Sequence, residues 1–111
     1  MIKNLPFAEV VDLAALVECQ TGQVVSRTLA QNSKMTMTLF AFTAGEGLSP
    51  HTASGDAFVY VLDGETLITI DNQQMTLSAG QSVVMPANVL HAVAAQTDFK
   101  MLLVVVKPED A

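Results

Sequence analysis

GEGLSPHTASGDAFVYVLDGE, residues 45–65, is the stretch whose reading decides the fold. Gly45 and Gly47 open it, a polar segment carries His51, and an apolar run from Phe58 to Leu62 ends at Asp63, Gly64 and Glu65. Read alone, it is a hairpin closed by Gly64, since such turns favour a residue able to take positive φ. A second stretch, GQSVVMPANVLHAVAA at residues 80–95, has the same grammar: a glycine, a β-branched run, a proline and the second of the two histidines, His91.

Turn-forming clusters recur outward from these stretches, at residues 31–33, 45–47, 54–56, 63–65, 71–72, 79–80, 86–88 and 96–98. A spacing of about 8 to 12 residues is the mark of an all-β sandwich or barrel. Between the clusters lie runs rich in Val, Ile, Thr and Phe: VVSRTLA from Val24, MTMTLFAF from Met35, FVYVL from Phe58, TLITI from Thr66 and KMLLVVV from Lys100. Side chains alternate along a strand, so Met35, Met37, Leu39 and Ala41 share one face while Thr36, Thr38, Phe40 and Phe42 share the other. Several strands are thus apolar on both faces. One face fills a barrel interior; the other needs cover from another sheet, the N-terminal segment or another chain. Before the strands, Asp12 is placed to cap a single turn through Leu13–Leu16, which Thr21 and Gly22 end, and the segment reads as such a turn or as a short strand. Residues 1–22 read as a short segment folded over a barrel of residues 23–107, the whole chain forming a single domain.

The two stretches resemble the signature motifs of the cupin superfamily, whose fold is a small antiparallel β-barrel, a jelly roll or double-stranded β-helix. In that family two histidines and a glutamate from the first motif and one histidine from the second hold a divalent metal. Gly45, His51 and Gly64 match the first motif, and Gly80, Pro86 and His91 match the second. The remaining ligand positions fall on Ala53 and Ala57, Asn88 stands where a glycine is usual, and Ala95 replaces a final asparagine. The resemblance therefore implies the barrel and a shared mouth for His51 and His91, with half of the metal ligands missing.

Two neutral imidazoles make a poor metal site, because catalytic zinc usually keeps three protein ligands and the non-haem iron triad adds a carboxylate. Asp56 is the nearest carboxylate in sequence, but it precedes the Ala57 position by one residue and alternation aims it away. Methyl groups at Ala53 and Ala57 suit a small organic ligand better than a bare ion. The candidate pocket is His51, Ala53, Ala57, Val59, Met85 and His91. If a metal binds, His51 and His91 are its ligands, and the cofactor expected is a weakly held divalent ion such as zinc, nickel, manganese or iron. Other chemistry is thinner: Ser49 and Ser54 lack an oriented base and acid, and the six methionines read as core filler.

The chain has 111 residues, 50% apolar and only 14% charged, with 11 acidic against five basic side chains and a net charge of −6. Scattered lysines and an acidic balance exclude a nucleic-acid partner. The high apolar content points to a buried subunit interface, hence a homodimer. One cysteine, Cys19, excludes an internal disulfide; with no leader-like start and no membrane-length apolar run, a cytoplasmic location without membrane insertion is expected. The functional expectation is a small-molecule-binding barrel. Two alternatives stand beside it: a metal-dependent enzyme using the two histidines, and a structural barrel acting through dimerisation.

Overall fold

Alternation that is apolar on both sides needs two layers to hide it, and the computed structural model, which describes residues 1–109, supplies them. Nine strands follow a 3-10 turn at Leu13–Leu16: β1 Val24–Gln31, β2 Met35–Phe42, β3 Gly47–His51, β4 Asp56–Asp63, β5 Glu65–Ile70, β6 Gln73–Ser78, β7 Ser82–Met85, β8 His91–Ala95 and β9 Phe99–Val106. They form a five-stranded sheet in the order β1-β2-β9-β4-β7 and a four-stranded sheet in the order β3-β8-β5-β6. Every strand pairing is antiparallel. This is the expected all-β jelly roll.

The main core lies between the sheets. Ala57, Val59 and Val61 face inward from β4, Phe42 from β2, Phe99 and Met101 from β9, and Ile68, Leu77, Met85, Val93 and Ala95 close the cluster. Phe42 and Phe99, opposite each other in register, stack with ring centroids 4.6 Å apart and planes 8° from parallel. The outward face of β2 has a second cluster, in which Leu39, Ala41, Leu29 and Val17 are buried and Leu5, Leu13, Leu16, Cys19 and Leu102 pack around them. The N-terminal segment is thus part of the cover that a doubly apolar strand requires. Asp12 caps its 3-10 turn by accepting from the Ala14 amide at 3.2 Å, and Lys100 Nζ donates to the Ala14 carbonyl at 2.6 Å.

The hairpin reading of residues 45–65 does not hold. β3 pairs with β8, whereas β4 pairs with β7 and β9, and β5 again lies in the other sheet. Gly64 therefore turns a corner between sheets. Its φ of +78° is left-handed, and a Cβ there would press on the Asp98 carbonyl oxygen and the Phe99 backbone. Positive φ was rightly expected, but its cause includes a close crossing of chains as well as turn geometry.

Candidate functional site

Two strand ends bring the histidines together. His51 is the last residue of β3, at the edge of the four-stranded sheet, and His91 is the first of β8 beside it. The register runs Gly47 to Ala94 and Leu48 to Val93, then shifts by one residue so that His51 stands opposite His91. The extra residue lies in the Ser49–Pro50 segment. Proline has no amide to give a ladder, so an edge strand with a bulge is where it is tolerated. Without the shift, His51 would sit across from Leu90 and its ring would leave the pair.

The imidazoles meet through their Nε2 atoms at 3.1 Å, with ring centroids 4.4 Å apart and planes inclined by 72°. Each Nδ1 faces a backbone carbonyl: His51 Nδ1 lies 2.7 Å from the Ser49 oxygen, and His91 Nδ1 lies 3.2 Å from the Val89 oxygen. A carbonyl only accepts, so the tautomers that satisfy both carbonyl contacts are those with hydrogen on Nδ1. In the neutral pair both Nε2 atoms are then bare acceptors. Two lone pairs directed at one another repel, and a proton, a donor group or a cation between them turns the repulsion into attraction. His91 is 3% exposed. Burial pushes its pKa below the ordinary 6.5, and the neighbouring His51 pushes it further down, against a smaller upward pull from the Val89 carbonyl.

The other candidate pocket residues sit differently. Val59 is wholly buried and Ala57 and Met85 are 2% exposed, all three packed in the main core, with Met85 directly across from Ala57. Ala53 is half-exposed, and its carbonyl accepts from the Asn88 amide at 2.8 Å. Asn88 has a φ of +62°, which explains why glycine suits that position. Asp56 accepts from the Ala87 amide at 2.9 Å through Oδ1. Its carboxylate thereby fastens the loop before His91 to the start of β4, a positioning task that the sequence pattern did not reveal. Among the described residues no group of three or more His, Cys, Asp or Glu is arranged to hold a metal ion. Two surface concavities, of about 480 and 230 Å³, lie beside Val106 and Lys107 and are not bordered by either histidine.

The model of the cupin domain family matches residues 38–107, which contain both histidines, the last five residues of β2 and all of β3 to β9. The chain belongs to the cupin family. A structure of a conserved protein of unknown function from Streptococcus pyogenes is 42% identical, covers 98% of this cupin and 96% of its own chain, and superposes with a TM-score of 0.95. A cupin superfamily protein from Desulfitobacterium hafniense is 36% identical, with coverage of 97% and 99% and a TM-score of 0.93. A cupin 2 conserved barrel domain protein from Leptotrichia buccalis is 47% identical over 87% of this cupin and 47% of that chain, with a TM-score of 0.85. A search of curated proteins finds no match to this cupin.

Proposed function

We propose that this cupin binds a small molecule at the His51–His91 pair, through a hydrogen-bond donor or cationic group offered to the two Nε2 atoms. The observation that carries this reading is the 3.1 Å approach of those atoms while both Nδ1 atoms face backbone carbonyls. An array of two converging acceptors, fixed in tautomer by the main chain, is already organised for a donor and needs no rearrangement to receive one. Ala53 and Ala57 add no competing polar group at the positions where the family pattern has ligands, so recognition falls on the imidazoles.

A second reading, a weakly held divalent metal, is favoured by the same distance. Two nitrogens each about 2.0–2.1 Å from a tetrahedral zinc ion lie roughly 3.4 Å apart, close to the observed spacing. The donor count fits less well, since two imidazoles fall short of the three protein ligands of a catalytic centre. Zinc, nickel, manganese or iron held here would keep half or more of its shell as solvent or ligand.

A thermal-shift screen on untagged protein separates the readings. His51 is exposed, so His51→Ala leaves the fold intact and removes one acceptor. A metabolite at about 100 times its Kd stabilises the wild type by about 2.7 kcal/mol and leaves His51→Ala unmoved. The second reading predicts that zinc or nickel alone gives such a shift and that a chelator reverses it. Equal shifts in the wild type and in His51→Ala overturn both.

A further inference from the structure

The larger of the two concavities is built where the five-stranded sheet ends. Residues 32–34 turn the chain from β1 into β2, and Asn32 closes the turn: its amide donates to the Met35 carbonyl at 2.9 Å, and its Oδ1 accepts from the Lys34 and Met35 amides at 2.8 and 3.0 Å. Met35 stands opposite Val106 in the ladder between β2 and β9, and the Lys107 amide adds one bond beyond it, 2.7 Å to the Lys34 carbonyl. Pro108 follows and has no amide to give, so the ladder stops there. A concavity of about 480 Å³ remains between the turn and the departing chain, lined by Asn32, Lys34, Met35, Val106, Lys107 and Glu109.

Its composition departs from that of the whole molecule. The chain has 11 acidic and five basic side chains, yet this lining holds two lysines against one glutamate. Asp56, in the adjoining concavity, turns its Oδ1 to the Ala87 amide. Below the charges lies an apolar floor. Val105 packs against the main core, so alternation puts Val106 on the outer face of the sheet, where it is 53% exposed beside the half-buried Met35. Because the Oδ1 of Asn32 is taken by the turn amides, what this side chain offers a ligand is its Nδ2 donor. Donors thus surround a hydrocarbon floor, at a place bordered by neither histidine.

We propose that this concavity is a second binding site, for a monocarboxylate with an apolar body. The carboxylate is taken by the Lys107, Lys34 and Asn32 donors, and the hydrocarbon lies on Met35 and Val106. The volume suits a small organic molecule, since ligand pockets run from roughly 300 to 1,000 Å³. Charge selects a monoanion: two lysines less one glutamate leave one positive charge, which a carboxylate balances and a phosphate dianion exceeds. The floor selects hydrocarbon, because each methylene taken out of water tightens binding by up to about fourfold. Lys34 and Lys107 are both exposed, and exposed ammonium groups hold an anion weakly, so the affinity expected is in the millimolar range or somewhat tighter. At about 0.1 M salt, charges more than about 10 Å away are largely screened, and the lysines of the lining outweigh the acidic surface beyond them.

Hexanoate is the probe, and backbone amide shifts in nitrogen-15 NMR spectra of the full chain report where it binds. Millimolar hexanoate is expected to move the amides of residues 32–35, 106, 107 and 109, and to bind about tenfold or more tightly than acetate, which has no body to lay on the floor. Hexan-1-ol, which keeps the body and lacks the charge, is expected to bind about threefold or more weakly than hexanoate. Lys34→Gln with Lys107→Gln changes two exposed side chains and leaves their backbone bond in place; hexanoate affinity is expected to fall to that of hexan-1-ol, with amide shifts elsewhere unchanged. His51→Ala is expected to bind hexanoate as the wild type does, which separates this site from the histidine pair. Unmoved amides at the turn and the end of β9, hexan-1-ol binding as tightly as hexanoate, undiminished affinity in the double lysine variant, or loss of binding in His51→Ala each overturns the proposal.

Discussion

β3 and β4 come from one continuous stretch of sequence, and they have divided the work of the barrel between them. β3 is an edge strand, exposed at four of its five positions, with a bulge that a core strand would not accommodate. It keeps His51. β4 is held between β9 and β7 with Ala57, Val59 and Val61 buried in the core, and it carries an alanine where the family pattern has a carboxylate. The histidine thus stands on the strand with little packing responsibility, and the methyl group of Ala57 on the strand that packs. An edge position tolerates a polar side chain because water still reaches it, whereas a central one demands that each polar atom find a partner.

The largest test of that contrast is at the end of β4. Gly64→Val is expected to destabilise by about 3–5 kcal/mol in denaturant titration, since a β-branched residue at φ +78° also collides with backbone at Asp98 and Phe99. Thr52→Val, on the exposed turn after β3, is expected to change stability by less than about 0.5 kcal/mol. Similar losses at both places break the comparison.

Next in size is a variant that returns the missing ligands. Ala53→His with Ala57→Glu places an ionisable carboxyl at a position only 2% exposed, so the metal-free protein is expected to lose about 3 kcal/mol or more. Zinc, nickel or manganese is expected to restore the melting temperature and, by calorimetry, to bind at least tenfold tighter than to the wild type. A variant that folds and binds no tighter shows that the Ala57 side chain does not reach the histidine pair.

The smallest effect is on the β8 side of the histidine pair. His91 has a lowered pKa in the folded protein, so just below pH 6.5 the unfolded chain binds the proton more readily than the folded one. The stability His91 contributes is present above about pH 6.5 and is lost as pH falls through its folded pKa. Melting temperatures recorded from about pH 7.5 down to 5.5 are expected to fall in the wild type, with a shallower slope in His91→Asn. Equal slopes assign the dependence to other groups.

Much of the barrel was legible because its central strands announce themselves. β2 coincides with the run MTMTLFAF, and β9 with KMLLVVV plus Phe99, since strands buried on both sides must be apolar throughout. β3 and β6 were not singled out: GLSPH and QQMTLS lie at sheet edges and are mostly exposed, so nothing forces an apolar signal on them. The hairpin error has a related cause. Turn residues at 54–56 and 63–65 show where the backbone bends, but partner choice is settled by strands far away in sequence, β8 for β3 and β9 for β4. At the site, the two histidines and the alanines were legible from motif spacing. The tautomers were not, because they depend on the Ser49 and Val89 carbonyls. Nor was the tie from Asp56 to Ala87, which joins residues 31 apart.

The strand order of the larger sheet has a consequence for how the molecule is made. β9 lies between β2 and β4 and supplies hydrogen bonds to both along its length. Until residues 99–106 have been synthesised, two strands produced much earlier have no common neighbour, and Phe42, Val59 and Val61 have no Phe99 or Met101 to pack against. A nascent chain therefore carries unpaired, strongly apolar edges through most of its synthesis at the ribosome, which is the period when such edges find wrong partners. Closure of the barrel waits on its ninth strand.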